Sequence, residues 1–168
     1  MKKRILAVLL ALCMMLGMVP GTAWAIDIIA SGECGENVTW ELDSEGTLTI
    51  EGAGAISDYS NNSAGDQVPW KENLYNIERV IISDGVTRIG KGAFAGGYLK
   101  LHSVTIPSSV KSIGISSFAS CTNLTSVTIP EGVSSIGDYA FSGCENLRSV
   151  LIPSSVTEMG SEVFSGIY

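Results

Sequence analysis

Phenylalanine recurs at Phe94, Phe118, Phe141 and Phe164, and most of the chain between these positions repeats with it. Val104-Thr-Ile-Pro-Ser-Ser-Val-Lys-Ser-Ile-Gly returns as Val127-Thr-Ile-Pro-Glu-Gly-Val-Ser-Ser-Ile-Gly, and again as Val150-Leu-Ile-Pro-Ser-Ser-Val-Thr-Glu-Met-Gly. A looser copy begins at Val80-Ile-Ile-Ser-Asp-Gly-Val-Thr-Arg-Ile-Gly. One extra residue falls in Gly96-Gly97-Tyr98-Leu99-Lys100, where a loop can absorb it. Self-similarity at a period near 23 residues restricts the chain to a stacked repeat architecture.

The columns have a physical meaning. Each copy enters through Ile77-x-x-Val80-x-Ile82, Leu101-x-x-Val104-x-Ile106, Leu124-x-x-Val127-x-Ile129 or Leu147-x-x-Val150-x-Ile152. The Val-x-Ile alternation is a short strand with one face inward. Pro107, Pro130 and Pro153 end three of these strands, because proline cannot donate to a ladder. A second apolar pair follows in each copy, Val110 and Ile113, Val133 and Ile136, or Val156 and Met159. Gly90, Gly114, Gly137 and Gly160 then allow a sharp change of direction. A single unit cannot bury its own apolar face, but stacked units can. The predicted fold is a β-rich repeat solenoid with parallel short strands. Without the period, 43 Gly, Ser and Pro among the 143 residues from Ile26 onward would suggest disorder; with it, they mark tight corners.

The segment Cys121-Thr-Asn-Leu-Thr-Ser-Val-Thr-Ile-Pro-Glu-Gly-Val-Ser-Ser-Ile-Gly-Asp-Tyr-Ala-Phe141 resembles the BspA-type leucine-rich repeat. The resemblance covers residues 77–168, read as four repeats of about 23 residues with the last incomplete. It implies a leucine-rich repeat right-handed superhelix. It also implies a bacterial secreted or cell-surface protein that works in adhesion and protein binding rather than catalysis. Members usually carry many more repeats.

Residues 1–25 read as a secretory signal peptide. Lys2, Lys3 and Arg4 precede an apolar run from Ile5 to Met18, and Ala23-Trp24-Ala25 fits the cleavage site. The run is shorter than the roughly 20 residues a membrane span needs, and no later stretch approaches it. The expected location is therefore secreted or extracellular, with cell-surface association implied by the family. Removing residues 1–25 takes away three cations and leaves a net charge of −10. This argues against nucleic acid and acidic membrane surfaces as partners. The charge is concentrated: residues 26–79 carry net −9, and residues 80–168 net −1.

The acidic front part, residues 26–76, reads as an N-terminal β-hairpin cap and loop. Val38 to Asp43 and Thr47 to Glu51 alternate around the turn Ser44-Glu45-Gly46. Residues from Gly52 to Asn62 read as a loop, and Pro69-Trp70-Lys71 as the start of a helical turn. Ser31 to Asp43, with Gly46-Thr-Leu-Thr-Ile after it, is similar to the leader that precedes these repeats in secreted Firmicutes proteins.

No catalytic residues, metal site or cofactor are assigned. His102 is the sole histidine and reads as an ordinary surface residue. A catalytic base needs a positioned nucleophile and orienter, and neither is evident. Asp58 to Asp66 is rich in oxygen ligands but lacks calcium-loop spacing, so it reads as solvated. Cys121 and Cys144 fall one repeat apart. They are either buried thiols filling the core or a disulfide across a stacking step of about 4.8 Å, for which parallel inward side chains are a poor geometry. Cys34 is the odd cysteine.

What remains is the outward side of the strands. Alternation places Ser103, Thr105, Ser126, Thr128, Ser149 and Leu151 there, a polar strip suited to a protein ligand or a glycan. The alternative is a structural segment of a larger surface protein with its activity downstream. The last copy stops mid-repeat, which leaves Val150, Ile152, Val156 and Phe164 at an open end. Such an end would be covered by further chain or by self-association.

Overall fold

Short apolar-polar alternations pair side by side in two sheets along one stacked coil. The computed structural model describes residues 26–59 and 68–167. Residues 1–25, read from the sequence as a signal peptide, and most of the loop from Asp58 to Asp66 lie outside the described residues.

The strands in chain order are β1 (Ile28–Gly35), β2 (Val38–Asp43), β3 (Thr47–Gly52), β4 (Gly54–Ala55), β5 (Arg79–Ile82), β6 (Val86–Ile89), β7 (Ser103–Thr105), β8 (Ser112–Ile113), β9 (Ser126–Thr128), β10 (Ser135–Ile136), β11 (Ser149–Leu151) and β12 (Glu158–Met159). A 3-10 turn covers Lys71–Asn76. The first sheet has seven strands in the order β1-β2-β3-β5-β7-β9-β11, and the second has five in the order β12-β10-β8-β6-β4. From β3 onward, neighbours in the first sheet are parallel. The fold is a β-rich, parallel-strand solenoid in which each repeat forms one coil.

The columns read from the sequence fill the space between the sheets. Val80, Val104 and Val127 are buried, as are Ile82, Ile106 and Ile129. Val86, Val110 and Val133 line the second sheet's inner side with Ile89, Ile113 and Ile136. Phe94, Phe118, Phe141 and Phe164 stack in one file, with centroid separations of 5.2 Å, 5.2 Å and 5.6 Å and planes within 12° of parallel. Each fully buried phenyl contributes about 1.5–3 kcal/mol through lost water contact. The glycine column is set by close coil approach. A Cβ on Gly114 would lie 2.7 Å from the Gly90 carbonyl carbon, and one on Gly137 would lie 2.6 Å from Ile115 N.

The front part differs from the expected two-stranded hairpin and loop. A third strand, β1, pairs antiparallel with β2 through two register shifts. The stretch from Gly52 is not all loop, because β4 joins the second sheet beside β6. Residues 47–59 form a cryptic coil preceding the four evident copies. Leu48 is in register with Val80, and Ile50 with Ile82. Ile56 N–H donates to Arg88 O at 2.9 Å, and Tyr59 N–H to Lys91 O at 2.8 Å. Ser116 N–H makes the latter bond to Asp138 O, two coils further on. This coil lacks its own phenylalanine. Trp70 supplies the ring from outside it, with its indole against Phe94.

Candidate ligand-binding face

The register of the first sheet turns the predicted outward residues into two rows. Ser103 pairs with Ser126 and Ser126 with Ser149, while Thr128 pairs with Leu151. Ile81 pairs with Thr105 and Arg79 with Ser103, so both rows extend into β5. Thr105, Ser126, Thr128, Ser149 and Leu151 are exposed, and Ser103 is half-buried. The structure thus brings all six sequence-predicted residues onto one face.

Residues outside the prediction belong to the same surface. Thr49 pairs with Ile81 and Glu41 with Thr49, so the threonine row runs onto the acidic front strands. Arg79 heads the serine row, donating to Thr47 Oγ1 at 3.0 Å and lying 3.8 Å from a Glu45 carboxylate oxygen. The surface is therefore graded. Glu33, Glu41 and Glu51 project from β1, β2 and β3, hydroxyl groups follow, and the apolar Ile81 (39% exposed) and Leu151 (66% exposed) bracket the hydroxyls. Reading the hairpin as a separate cap hid Arg79, Ile81 and Glu41; the parallel match of Leu48-x-Ile50 to Val80-x-Ile82 was the signal that could have revealed them.

His102 is exposed, and its Nδ1 lies 3.3 Å from Lys100 O. All three cysteines of the described residues are buried and free. The Cys121 thiol donates to Phe94 O at 3.1 Å and the Cys144 thiol to Phe118 O at 3.2 Å. Burial pushes Cys34 up to about 12 and Cys144 up to about 11, and raises Cys121 well above the ordinary thiol value. Such thiols are protonated and poor nucleophiles at neutral pH. Asp58 is held below the usual carboxylate range, first by the Lys91 N–H that it accepts at 2.7 Å and then by the Arg88 guanidinium. Asp138 takes the equivalent bond from Ser161 N–H at 2.7 Å. Among the described residues, no group of three or more His, Cys, Asp or Glu side chains is placed to hold a metal ion. Among them, no helix is long and apolar enough to cross a membrane.

Parallel coils with a repeated inner file of Val, Ile and Phe define a leucine-rich repeat solenoid. Residues 72–168, more than half of the chain, match the model described as "BspA type Leucine rich repeat region (6 copies)". The chain belongs to the BspA-type leucine-rich repeat family. The match begins five residues ahead of Ile77, where the first copy was placed. Solved structures share the fold. A leucine-rich repeat protein from Eubacterium ventriosum is 28% identical with a TM-score of 0.50, over 82% of this chain and 30% of that one. One from Bacteroides ovatus is 26% identical with a TM-score of 0.55, over 71% of this chain and 34% of that one. The T. pallidum leucine-rich repeat protein is 24% identical with a TM-score of 0.55, over 79% and 64% of the two chains. The chain thus spans about a third of the length of the first two. No curated protein is matched.

Proposed function

We propose that this chain is an exported, non-enzymatic binding module whose first-sheet outer face docks a protein partner in adhesion to host or neighbouring cells. The observation that carries the reading is the registered pair of rows, with Ser103, Ser126 and Ser149 beside Thr105, Thr128 and Leu151. Strand register holds these side chains in fixed positions, so a partner meets a surface that is already ordered. Membership of a repeat family typical of bacterial surface and secreted proteins supports the reading. A glycan is the weaker choice of ligand, because no aromatic ring stands in either row from β7 to β11 to stack on a sugar.

The test uses beads coated with the purified chain, scored on cultured epithelial cells and on bacterial cells. Wild-type beads should adhere. The Thr105→Lys, Thr128→Lys double variant should adhere much less while its circular dichroism is unchanged. Failure of wild-type beads to adhere would remove the adhesion reading. Equal adhesion by the variant would remove the strand face from it.

A second reading is favoured by the last described coil. Ile152 is 40% exposed and Met159 is 49% exposed, whereas their column mates Ile129 and Ile136 are buried. In this reading the repeats are a stacking segment of a larger surface protein, and another apolar layer covers these residues. The intact mass of the protein as secreted by its native source separates the two. A mass equal to Ile26–Tyr168 supports the self-contained module and cleavage after Ala25. A larger mass supports the segment.

A further inference from the structure

The first sheet ends at β1, which has a strand on one side only. Between the two register shifts, residues 30–33 pair one to one with residues 39–42 and form a regular strand. Among the described residues, the backbone of residues 28–33 makes no hydrogen bond except to β2. Alternate residues of such an edge turn their N–H and C=O groups outward, where another strand can pair with them. The two sides of the stretch differ in chemistry. Ala30 and Gly32 are in register with the buried Leu42 and Trp40, whereas Ser31 and Glu33 are in register with the exposed Glu41 and Thr39. The Trp40 indole lies over Gly32, where a Cβ would come within 2.8 Å of its Nε1. A strand added here would extend the core layer on one side and the Glu33 row on the other.

Charge selects the occupant. Glu33, Glu41 and Glu51 stand on three adjacent strands, and none of the four ion pairs among the described residues includes them. Residues 26–79 carry net −9. This field repels a second copy of the same edge and attracts a cationic strand. At the end of β1 a cavity of about 340 Å³ opens beside Glu33, with Cys34, Gly35, Ser57, Tyr59 and Pro69 as its other walls. The Tyr59 hydroxyl donates to Cys34 O at 3.1 Å, which ties the ring to the strand. Tyr59 and Pro69 can cover the stem of a long side chain while Glu33 meets its charge, a combination that suits lysine. At the other end of the strand, Ile28 and Ile29 are each 52% exposed and offer apolar contact.

We propose that β1 is a docking edge for an extended basic protein segment, which joins the first sheet as an eighth strand with alternating cationic and apolar side chains. Main-chain pairing supplies the attachment, and the alternate side chains supply the selectivity. The cations lie on the Glu33 side, with one in the cavity beside Tyr59, and the apolar residues lie on the side of Ala30 and Gly32. The site is separate from the rows on β7 to β11 and does not depend on them. Thr105 on β7 is four strands from β1, about 19 Å at the usual spacing and beyond the screening length of physiological salt.

The probe is a dye-labelled peptide of alternating lysine and valine, titrated with the purified chain and read by fluorescence anisotropy. Binding that weakens with added salt is expected. Amide shift changes in nitrogen-15 spectra should centre on β1. Glu33→Lys should weaken binding by about tenfold or more with circular dichroism unchanged. The Thr105→Lys, Thr128→Lys variant should bind the peptide as the wild type does. Methylating alternate amide nitrogens of the peptide should abolish binding in one phase and spare it in the other, because only alternate residues face β1. Absence of binding would overturn the proposal, as would equal binding of a glutamate–valine peptide. So would shift changes centred on β7 to β11, or binding indifferent to Glu33→Lys or to the methylation phase.

Discussion

The indole of Trp70 lies on the phenyl ring of Phe94, with centroids 5.6 Å apart and planes 16° from parallel. It continues the phenylalanine file into the cryptic coil, and Trp40 closes the file edge-on at 5.7 Å. Trp70 is fully buried, and its Nε1 donates to the Tyr98 hydroxyl at 2.5 Å. Trp70→Ala should therefore lower stability by about 3–5 kcal/mol, the usual range for emptying a large aromatic site. Trp70→Phe should recover most of that loss. Urea midpoints of the three proteins check this, and equal midpoints would mean that the front strands do not rely on the stack.

Ser117 offers a change in the opposite direction. Its column is Ala93, Ser117, Ala140 and Val163, all buried, and its hydroxyl has no hydrogen-bond partner. A buried, unpaired hydroxyl costs about 1–3 kcal/mol. Ser117→Ala matches the neighbouring coils and should raise stability by about 1 kcal/mol in chemical denaturation. A loss of stability would show that the hydroxyl has a role in the core.

The thiols set an alkaline limit. Burial raises Cys34 to about 12 and Cys144 to about 11 from an ordinary value of 9.0, and raises Cys121 as well. Below pH 9 both folded and unfolded chains keep these protons, and the contribution is constant. Above pH 9 the unfolded chain releases protons that the folded chain holds. Stability should therefore fall as pH rises from 9 toward 11, by up to about 1.4 kcal/mol per pH unit for each thiol. Urea midpoints across that window should decline more gently in a Cys121→Ala, Cys144→Ala variant. The native protein should also resist thiol-specific reagents at neutral pH and react fully in denaturant.

Two serines tie coils together. Ser109 Oγ donates to Val86 O at 2.8 Å and accepts from Gly85 N–H at 3.2 Å. Ser155 repeats the pair with Val133 O at 2.8 Å and Gly132 N–H at 3.2 Å. Ser109→Ala should cost about 1–2 kcal/mol, since two backbone groups lose their partner. Ser109→Thr keeps a hydroxyl and should cost less if the clamp is the cause. Thermal unfolding of both variants decides this.

The four evident coils were legible because each apolar column repeats a residue type at a fixed offset, and core stacking demands like upon like. The six residues of the outer strip followed from alternation alone. The cryptic coil was hidden because its aromatic ring comes from Trp70, across the loop, instead of from a phenylalanine in the repeat. The motif asparagine carried no legible reason either. Asn123 Nδ2 donates to Leu99 O and Asn146 Nδ2 to Thr122 O, each reaching back to the previous coil.

The serine clamps alternate with glycines in the left-handed region, Gly85 at φ 101° and Gly132 at φ 113°. Each such glycine coil is gripped by the serine coil that follows it. Adjacent coils thus differ at this corner, which alternates Gly85, Ser109, Gly132 and Ser155 along the four evident coils. Gain or loss of a single coil would place two corners of one kind in succession. Adding coils in pairs would keep every glycine corner beside a serine that grips it.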